Sequence, residues 1–291
     1  MRTKSCFFIM LAAALWGGIG VFFNLLRTAG FTPMQAVAIR VFTAAAALTL
    51  YLFIKDRALF RIHLRDWWCF AGTGILSLIF FNWCYFTAIE KTSLAVAAVL
   101  LYTSPIFVML FSALLFREAI TRRKILALAM TFTGCLFAAG ALGSGAGASP
   151  LGICIGIGAG VGYALYSIFG RLALERGYSS ITICEYTFLF AAVGALPLSR
   201  LWDAAPLLAQ PQSAAGALGI GILCCAVPFL LYTQGLSGVE TGKAAIIATV
   251  EPAVAALFSR VLYGESLLGG KGIGILLIFA SVVVLNLPEK N

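Results

Sequence analysis

Apolar segments long enough to cross a lipid bilayer recur along the whole chain, and they constrain its fold more than any other feature. They are separated by short polar interruptions, and an α-helix needs about 20 apolar residues to cross the hydrocarbon core. Of the 291 residues, 62% are hydrophobic and only 11% are charged. Strands of a membrane barrel would instead alternate apolar and polar residues over about ten positions. The sequence therefore predicts an all-α integral membrane protein.

Ten transmembrane helices are predicted. They are Ser5–Leu26, Met34–Ile54, Trp67–Ile89, Leu94–Phe116, Ile125–Leu142, Leu151–Gly170, Ile181–Ser199, Ala214–Leu236, Ala244–Tyr263 and Gly269–Leu287. The first starts like a signal peptide, but its apolar run is long enough to span, so we expect it to stay uncleaved.

The chain is a tandem repeat with an offset of 147 residues. Without any gap, this shift aligns Tyr85 with Tyr232, Pro105 with Pro252, Phe111-Ser112 with Phe258-Ser259, Glu118 with Glu265, and Lys124 with Lys271. The small-residue linker Gly143–Pro150 separates five spans from five, which predicts a first repeat over residues 1–144 and a second over residues 145–291. Because each repeat has an odd number of spans, the second must enter the membrane from the opposite side. Inverted repeats of this kind are typical of secondary transporters.

Basic residues predict the orientation in the membrane. With a cytosolic N-terminus, fourteen Lys and Arg residues fall on the cytosolic side and five on the outer side, as the positive-inside rule requires. We expect a multi-pass protein of the cell (cytoplasmic) membrane with both termini in the cytosol. The formal charge of +9 is then a signal of topology, and nucleic-acid binding is not expected.

Glu251 is the strongest candidate for function because it lies near the middle of an apolar span and is followed at once by Pro252. A carboxylate at membrane depth costs roughly 2.5 to 3.5 kcal/mol by translocon scales, so it needs a polar cavity or partner. The proline removes a backbone donor and frees a carbonyl one turn earlier. These groups predict a site for substrate or for coupling, where a carboxylate can bind a proton in one state and release it in the other. A purely structural role in holding helices together is the alternative.

Arg40 is the only Lys or Arg left over from this count of basic residues, and it lies six residues into the second span. Helix geometry places it on the order of 9 Å from the outer end of its span, within about 10 Å of the height of Glu251. As a functional group it would bind a substrate carboxylate or phosphate, or exchange its pairing with Glu251 during transport. A permanent structural ion pair, or an arginine that snorkels outward, are the structural alternatives.

Tyr102 and Ser104 precede Pro105, the repeat counterpart of Pro252. We therefore expect both side chains to face the same midplane region from the first half, and both proline positions to interrupt their helices. Further polar residues in the spans are Asn24, Asn82, Tyr85, Tyr163, Tyr166, Glu185, Tyr232 and Gln234. Helix–helix hydrogen bonds account for most of such residues, and a minority would line a cavity.

No metal or other cofactor is expected. The eight cysteines lack CxxC spacing and the chain has one histidine, which leaves little for a metal site. Glu118 and Glu265 follow the fourth and ninth spans, where each is expected to cap the start of a neighbouring helix.

Three segments together resemble the EamA-type transporters of the drug/metabolite transporter superfamily: Ala38–Leu48, Thr103–Thr121 and Val250–Glu265. The resemblance covers nearly the whole chain, although Phe116-Arg117 replaces the usual small or apolar pair before Glu118. It implies ten helices in two halves and export of metabolites such as amino acids or nucleobase-like compounds, in some members coupled to protons.

These features predict a secondary active exporter of a small polar metabolite, amino-acid-like or nucleobase-like, that works by alternating access and is not an enzyme. The expected partners are the small-molecule substrate and the lipid bilayer. Coupling to protons and assembly as a homodimer are left open. Two alternatives come from other classes: an intramembrane enzyme acting on a lipid, and a non-transporting membrane scaffold or sensor.

Overall fold

The chain folds into a bundle of helices. The computed structural model describes residues 2–140, 149–264 and 270–287, and no strand occurs in these ranges. Most of the predicted linker and Glu265 lie outside the described residues. Eight helices are long and apolar enough to cross a membrane.

These eight helices and two shorter ones are numbered in chain order. They are α1 (Thr3–Thr28), α2 (Pro33–Lys55), α3 (Leu64–Lys91), α4 (Leu94–Phe116), α5 (Arg122–Ala138), α6 (Pro150–Glu175), α7 (Ser180–Ser199), α8 (Pro211–Leu236), α9 (Thr241–Leu262) and α10 (Gly270–Asn286). Short 3₁₀ helices cover Arg57–Phe60 and Leu201–Ala209 in the connections.

The helices follow the predicted spans to within a few residues at each described end. The largest difference is at the end of α6, which continues to Glu175, five residues beyond the predicted Gly170. Helix α5 begins at Arg122, where the Thr121 hydroxyl accepts a hydrogen bond from the Lys124 amide (3.3 Å). Helices α5 and α10 have 17 residues each, which corresponds to about 25 Å. That both of them cross the membrane, to make ten crossings, stays a prediction.

Two helices are interrupted three residues before a proline. In α4 the helix ends at Leu101 and resumes at Ser104, and in α9 it ends at Ala248 and resumes at Val250. Proline has no N–H to donate to the carbonyl four residues earlier, so the ladder breaks where the sequence predicts. The threonines at the breaks bond back to carbonyls of the preceding turn: the Thr103 hydroxyl donates to Leu100 and the Thr249 hydroxyl to Ile246.

Two other helices contain π-helical turns, again at equivalent places in the two halves. The segments are Gly72–Ile79 in α3 and Gly219–Ala226 in α8, which are 147 residues apart. Such turns are rare and cluster at functional sites.

The two halves contact one another reciprocally. Helix α2 packs against the π-helical segment of α8, and α7 packs against that of α3; α1 packs on α8, and α6 on α3. The equivalent pairs α2–α7 and α5–α10 also pack together. Each contact thus has its counterpart with the halves exchanged, as in an isologous interface. This arrangement fits a two-repeat layout.

Large apolar side chains cover the outside of the bundle. Leu114 is 71% exposed, Val193 66% and Leu276 71%, an arrangement that water would disfavour but lipid accepts. The chain is therefore a multi-pass membrane protein.

Glycines allow α5 and α10 to approach closely. A Cβ on Gly274 would lie 2.6 Å from the Ala138 amide nitrogen and 2.6 Å from the Gly134 carbonyl oxygen. Because both neighbours are backbone atoms, neither can move aside without shifting a helix.

We expect Gly274→Ala to lower the stability of the protein by roughly 1 to 3 kcal/mol, the usual cost of overpacking. The thermal unfolding midpoint in detergent would report it. Gly170→Ala is the matched control, because its Cβ would meet only the end of Leu236 at 3.7 Å, and it should unfold no lower than the wild type. Equal midpoints for the two variants would contradict the close α5–α10 contact.

Candidate functional site

A cavity of about 640 Å³ lies between the two halves, within the size range of small-molecule sites. Helices α1 to α4 line it from the first half, and α6, α8 and α9 from the second. Its charged lining residues are Arg27, Arg40 and Glu251. Three of the four predicted site residues, Arg40, Glu251 and Tyr102, are thus brought to one cavity by helices from both halves.

Arg40 is buried in the cavity wall without full compensation of its charge. Its side chain is only 7% exposed, and its Nε and Nη2 atoms have no hydrogen-bond partner. Helix α2 holds it there because Gly221 of the π-helical segment lets the two backbones approach: a Cβ on Gly221 would lie 3.2 Å from the Arg40 carbonyl oxygen. A buried guanidinium with free donors is suited to an anionic ligand.

Glu251 lies on a different helix, directly after the break in α9, and is partly buried. Its Oε2 atom accepts a hydrogen bond from the Tyr163 hydroxyl of α6 (3.2 Å). None of the ion pairs within 4.0 Å among the described residues joins Arg40 to Glu251. A permanent contact pair between them is therefore not the arrangement of this conformation. Both charges are available to a ligand.

Tyr102 and Ser104 occupy the bottom of the site. Tyr102 also lines a second, smaller cavity of about 20 Å³, together with Ser104, Glu251 and Thr249. This space holds about one water molecule. Ser104 is 4% exposed and contributes only to the smaller cavity, so it can act on a ligand only through water or through Glu251.

The rest of the cavity wall is mainly apolar and aromatic. The aromatic lining residues are Trp16, Phe23, Phe81, Tyr85, Phe86, Tyr102, Tyr163, Phe229 and Phe258. An aromatic wall around two separated charges would bind the charged ends of a small molecule and accommodate an apolar portion.

Where the described lining residues reach helix ends, those ends lie on one side of the bundle, which marks the mouth of the cavity. Its lining reaches exposed Arg27 and Leu94 and also Pro33 and Ile89, which lie at the ends of α1, α2, α3 and α4. By the predicted topology this is the outer side of the membrane. None of the described lining residues lies at the opposite helix ends.

Below the cavity the bundle is closed by an aromatic cluster. Trp16 packs on Phe229 and Tyr232 with ring centroids 5.2 and 5.4 Å apart, and Tyr166 packs edge-on to Phe229 at 4.8 Å. The hydroxyls of Tyr166 and Tyr232 are bonded to Thr233 and Ser167. This cluster blocks passage to the other side in the present conformation.

Polar contacts near the opposite helix ends join the two halves. Glu118 accepts hydrogen bonds from the backbone amides of Thr241 (2.6 Å) and Gly242 (3.0 Å), and Lys124 pairs with Glu240 at 2.6 Å. Glu118 thus caps the start of α9, as predicted from the sequence. We call these contacts of Glu118 and Lys124 the latch.

Sequence reasoning ranked several cavity residues too low. Tyr163, the direct partner of Glu251, stood only among the secondary polar residues, as did Asn82 and Tyr85, which also line the cavity. The 147-residue offset could have indicated Tyr163, because it aligns Tyr163 with Trp16, and both residues line the cavity. Asn24 and Gln234 are not among the lining residues.

The fold and the cavity define a multi-pass membrane transporter with a site between two helical halves. The chain belongs to the EamA-like transporter family, whose sequence model matches residues 3–140 and again residues 150–287. The two matches begin and end 147 residues apart, which is the offset found in the sequence. The family is part of the drug/metabolite transporter superfamily.

Similar proteins cover almost the whole chain. An uncharacterized transporter of Archaeoglobus fulgidus is 28% identical over 95% of this chain and 94% of its own length. The threonine/homoserine exporter RhtA of Escherichia coli K12 is 26% identical over 89% of this chain and 83% of its own length. A protein of known crystal structure has the same fold, with a TM-score of 0.79 at 19% identity over 98% of this chain and 97% of its own.

If Arg40 lines an open cavity, a cysteine at its position will react with a membrane-impermeant thiol reagent added to the side of the cavity mouth. We expect Arg40→Cys to be modified, in a background without the eight native cysteines. Val193→Cys is the matched control, because Val193 faces outward on α7 and should be shielded by lipid. Absence of modification at position 40 from either side would contradict the assignment.

Proposed function

We propose that the protein is a secondary active exporter of small zwitterionic metabolites of the amino-acid type. The observation that carries this proposal is the pair of separated charges in one cavity, the buried Arg40 and the partly buried Glu251, each from a different half. Arg40 would bind the substrate carboxylate, and Glu251 would bind its ammonium group. The sequence similarity to a protein named as a threonine/homoserine exporter supports the same substrate class.

The electrostatics favour a ligand with both charges. A guanidinium that is 93% buried keeps an uncompensated cost until an anion pairs with it, and the same holds for a carboxylate with a single hydroxyl partner. A zwitterion satisfies both groups at once and adds no net charge to the cavity. A nucleobase-like compound would stack on the aromatic wall but has no carboxylate for Arg40, so it is the second candidate.

Alternating access accounts for a cavity that opens on one side and is closed on the other. In the present conformation the mouth faces the predicted outer side, and the aromatic cluster and the latch close the cytosolic side. Transport would require the two inverted halves to rock, so that the latch opens as the mouth closes. The helix breaks and π-helical turns lie where the halves meet and can absorb backbone rotation.

The alternatives from other classes have less support. Within the described residues, no group of three His, Cys, Asp or Glu side chains is placed to hold a metal ion. A scaffold or sensor has no use for two uncompensated charges in an open cavity. The family and its named members are transporters.

We expect Arg40→Gln and Glu251→Gln each to raise the KM for an amino acid about tenfold or more, because each removes a charge-assisted hydrogen bond of about 1.5 to 3 kcal/mol. Counterflow of labelled amino acids in proteoliposomes measures this. Arg27→Gln, at the exposed mouth of the cavity, is the control and should change KM less than threefold.

Substrate analogues that lack one charged group test the roles of Arg40 and Glu251 separately. Arg40→Gln should lose the preference for an amino acid over the amine that lacks its carboxylate. Glu251→Gln should lose the preference over the hydroxy acid that lacks its ammonium group. If each variant weakens both analogues equally, the charges do not act as proposed, and strong exchange of nucleobases by the wild type would favour the second candidate.

Proton coupling follows if a proton and the substrate ammonium compete for Glu251. We expect Glu251→Gln to abolish accumulation driven by a pH gradient while exchange at saturating substrate continues. Proteoliposomes assayed with and without an imposed pH gradient measure both quantities. Unchanged gradient-driven accumulation in the variant would refute the coupling role.

A further inference from the structure

A second buried carboxylate lies outside the cavity, on the closed side of the bundle. Glu185 of α7 is 0% exposed and lines neither cavity. Its Oε1 atom accepts a hydrogen bond from the Thr49 hydroxyl of α2 (2.5 Å), and its Oε2 atom has no partner. Thr49 lies nine residues beyond Arg40 on α2, which places this pair about 13 Å further from the cavity mouth.

No cation compensates Glu185. None of the ion pairs within 4.0 Å in the described part of the chain includes it. The helices packed on α7 are α2, α3, α6 and α8, together with the 3₁₀ helix Arg57–Phe60.

Arg40 of α2 lies about 13 Å along the helix from Thr49. The other titratable groups on the closed-side parts of these elements are exposed, bound elsewhere or uncharged near neutral pH. Lys55 and Tyr51 are exposed, Arg57 stacks on Phe53, and two ion pairs join Arg171 to Glu175 and Asp66 to Arg176. The hydroxyls of Tyr166, Tyr232 and Tyr186 are hydrogen-bonded to Thr233, Ser167 and the Phe60 carbonyl, respectively. The cysteines of these elements, Cys69, Cys184 and Cys225, are free thiols.

We propose that Glu185 is a proton-binding site that holds a proton in the mouth-open conformation and releases it when the closed side opens. A fully buried ionised carboxylate with one hydroxyl partner carries a large desolvation cost, whereas the neutral acid needs only hydrogen bonds. The proton enters from the side of the open mouth, binds one carboxylate oxygen, and passes to water when the closed side is hydrated, so each cycle moves it from one side of the membrane to the other. Proton release at Glu185 therefore accompanies the change of access.

The proposal rests on the alternating access proposed above, but its chemistry can be tested without transport. Infrared spectroscopy of the purified protein detects the C=O band of a protonated carboxyl group. At pH 7 we expect this band in the wild type and in Glu251→Gln, and a clear loss of it in Glu185→Gln. Glu175→Gln is the control, because Glu175 is a partly exposed carboxylate at the end of α6, and it should leave the band unchanged.

A second variant keeps the test decisive if Glu185→Gln folds poorly. Thr49→Val removes the hydroxyl that donates to Glu185, so the band should move to higher wavenumber as the C=O group loses its hydrogen bond. A band that is absent from the wild type, or unaffected by both variants, would overturn the proposal.

Transport then separates this site from Glu251. In proteoliposomes, Glu185→Gln should lower pH-driven accumulation about tenfold or more with the KM for substrate unchanged within about threefold, because Glu185 does not line the cavity. Accumulation equal to the wild type would show that Glu185 is only a structural hydrogen-bonding group. If no amino acid is exchanged by the wild type, the proposed substrate is wrong, while the infrared result still decides the protonation of Glu185.

Discussion

The cost of removing a charge from water governs the architecture of this membrane protein. Lipid cannot compensate an ionised side chain, so Arg40 and Glu251 can be kept at depth only where the two helical halves leave a cavity between them. The cavity in turn requires helices that separate on one side and pack closely on the other. The small residues between the halves, such as Gly221 against α2, provide that close packing. Burial of these charges and the two-repeat layout therefore depend on each other.

The helices that line the cavity with Arg40 and Glu251 include four whose regular α-helical backbone is interrupted. The breaks before Pro105 and Pro252 and the π-helical turns of α3 and α8 lie at equivalent positions of the two halves. Irregular backbone inside a membrane is tolerated only where protein or a polar cavity satisfies it, and here both breaks lie beside the cavities, where Tyr102 and Thr249 are lining residues. The same places are those where two packed halves can change their relative angle. Under the proposed alternating access, these breaks and turns would permit the change between the two conformations.

The two halves differ in the charged residues that they contribute to the cavity. Arg40 of α2 corresponds by the 147-residue offset to Thr187 of α7, which bonds Thr73 (2.6 Å) in the core. Glu251 corresponds to Ser104, which lies beneath the cavity. A symmetric cavity would place like charges against each other, which repel. The divergence instead leaves one cation and one anion, which suits a zwitterion, and reserves the buried Glu185 for a different role on the closed side.

The sequence by itself determined the class of structure and much of the site. Span length, the repeat offset and the Glu-Pro pair of α9 depend on local chemistry, which can be read along the chain: apolar runs must be helical in lipid, and proline must interrupt a helix. Which side chains meet was decided by the tertiary structure. Tyr163 pairs with Glu251, Thr49 with Glu185, and Arg40 stays apart from Glu251, because these contacts depend on the rotation and spacing of helices from different halves. Helical periodicity places a residue on a face, but only the packed bundle determines whether that face meets a cavity, lipid or another helix.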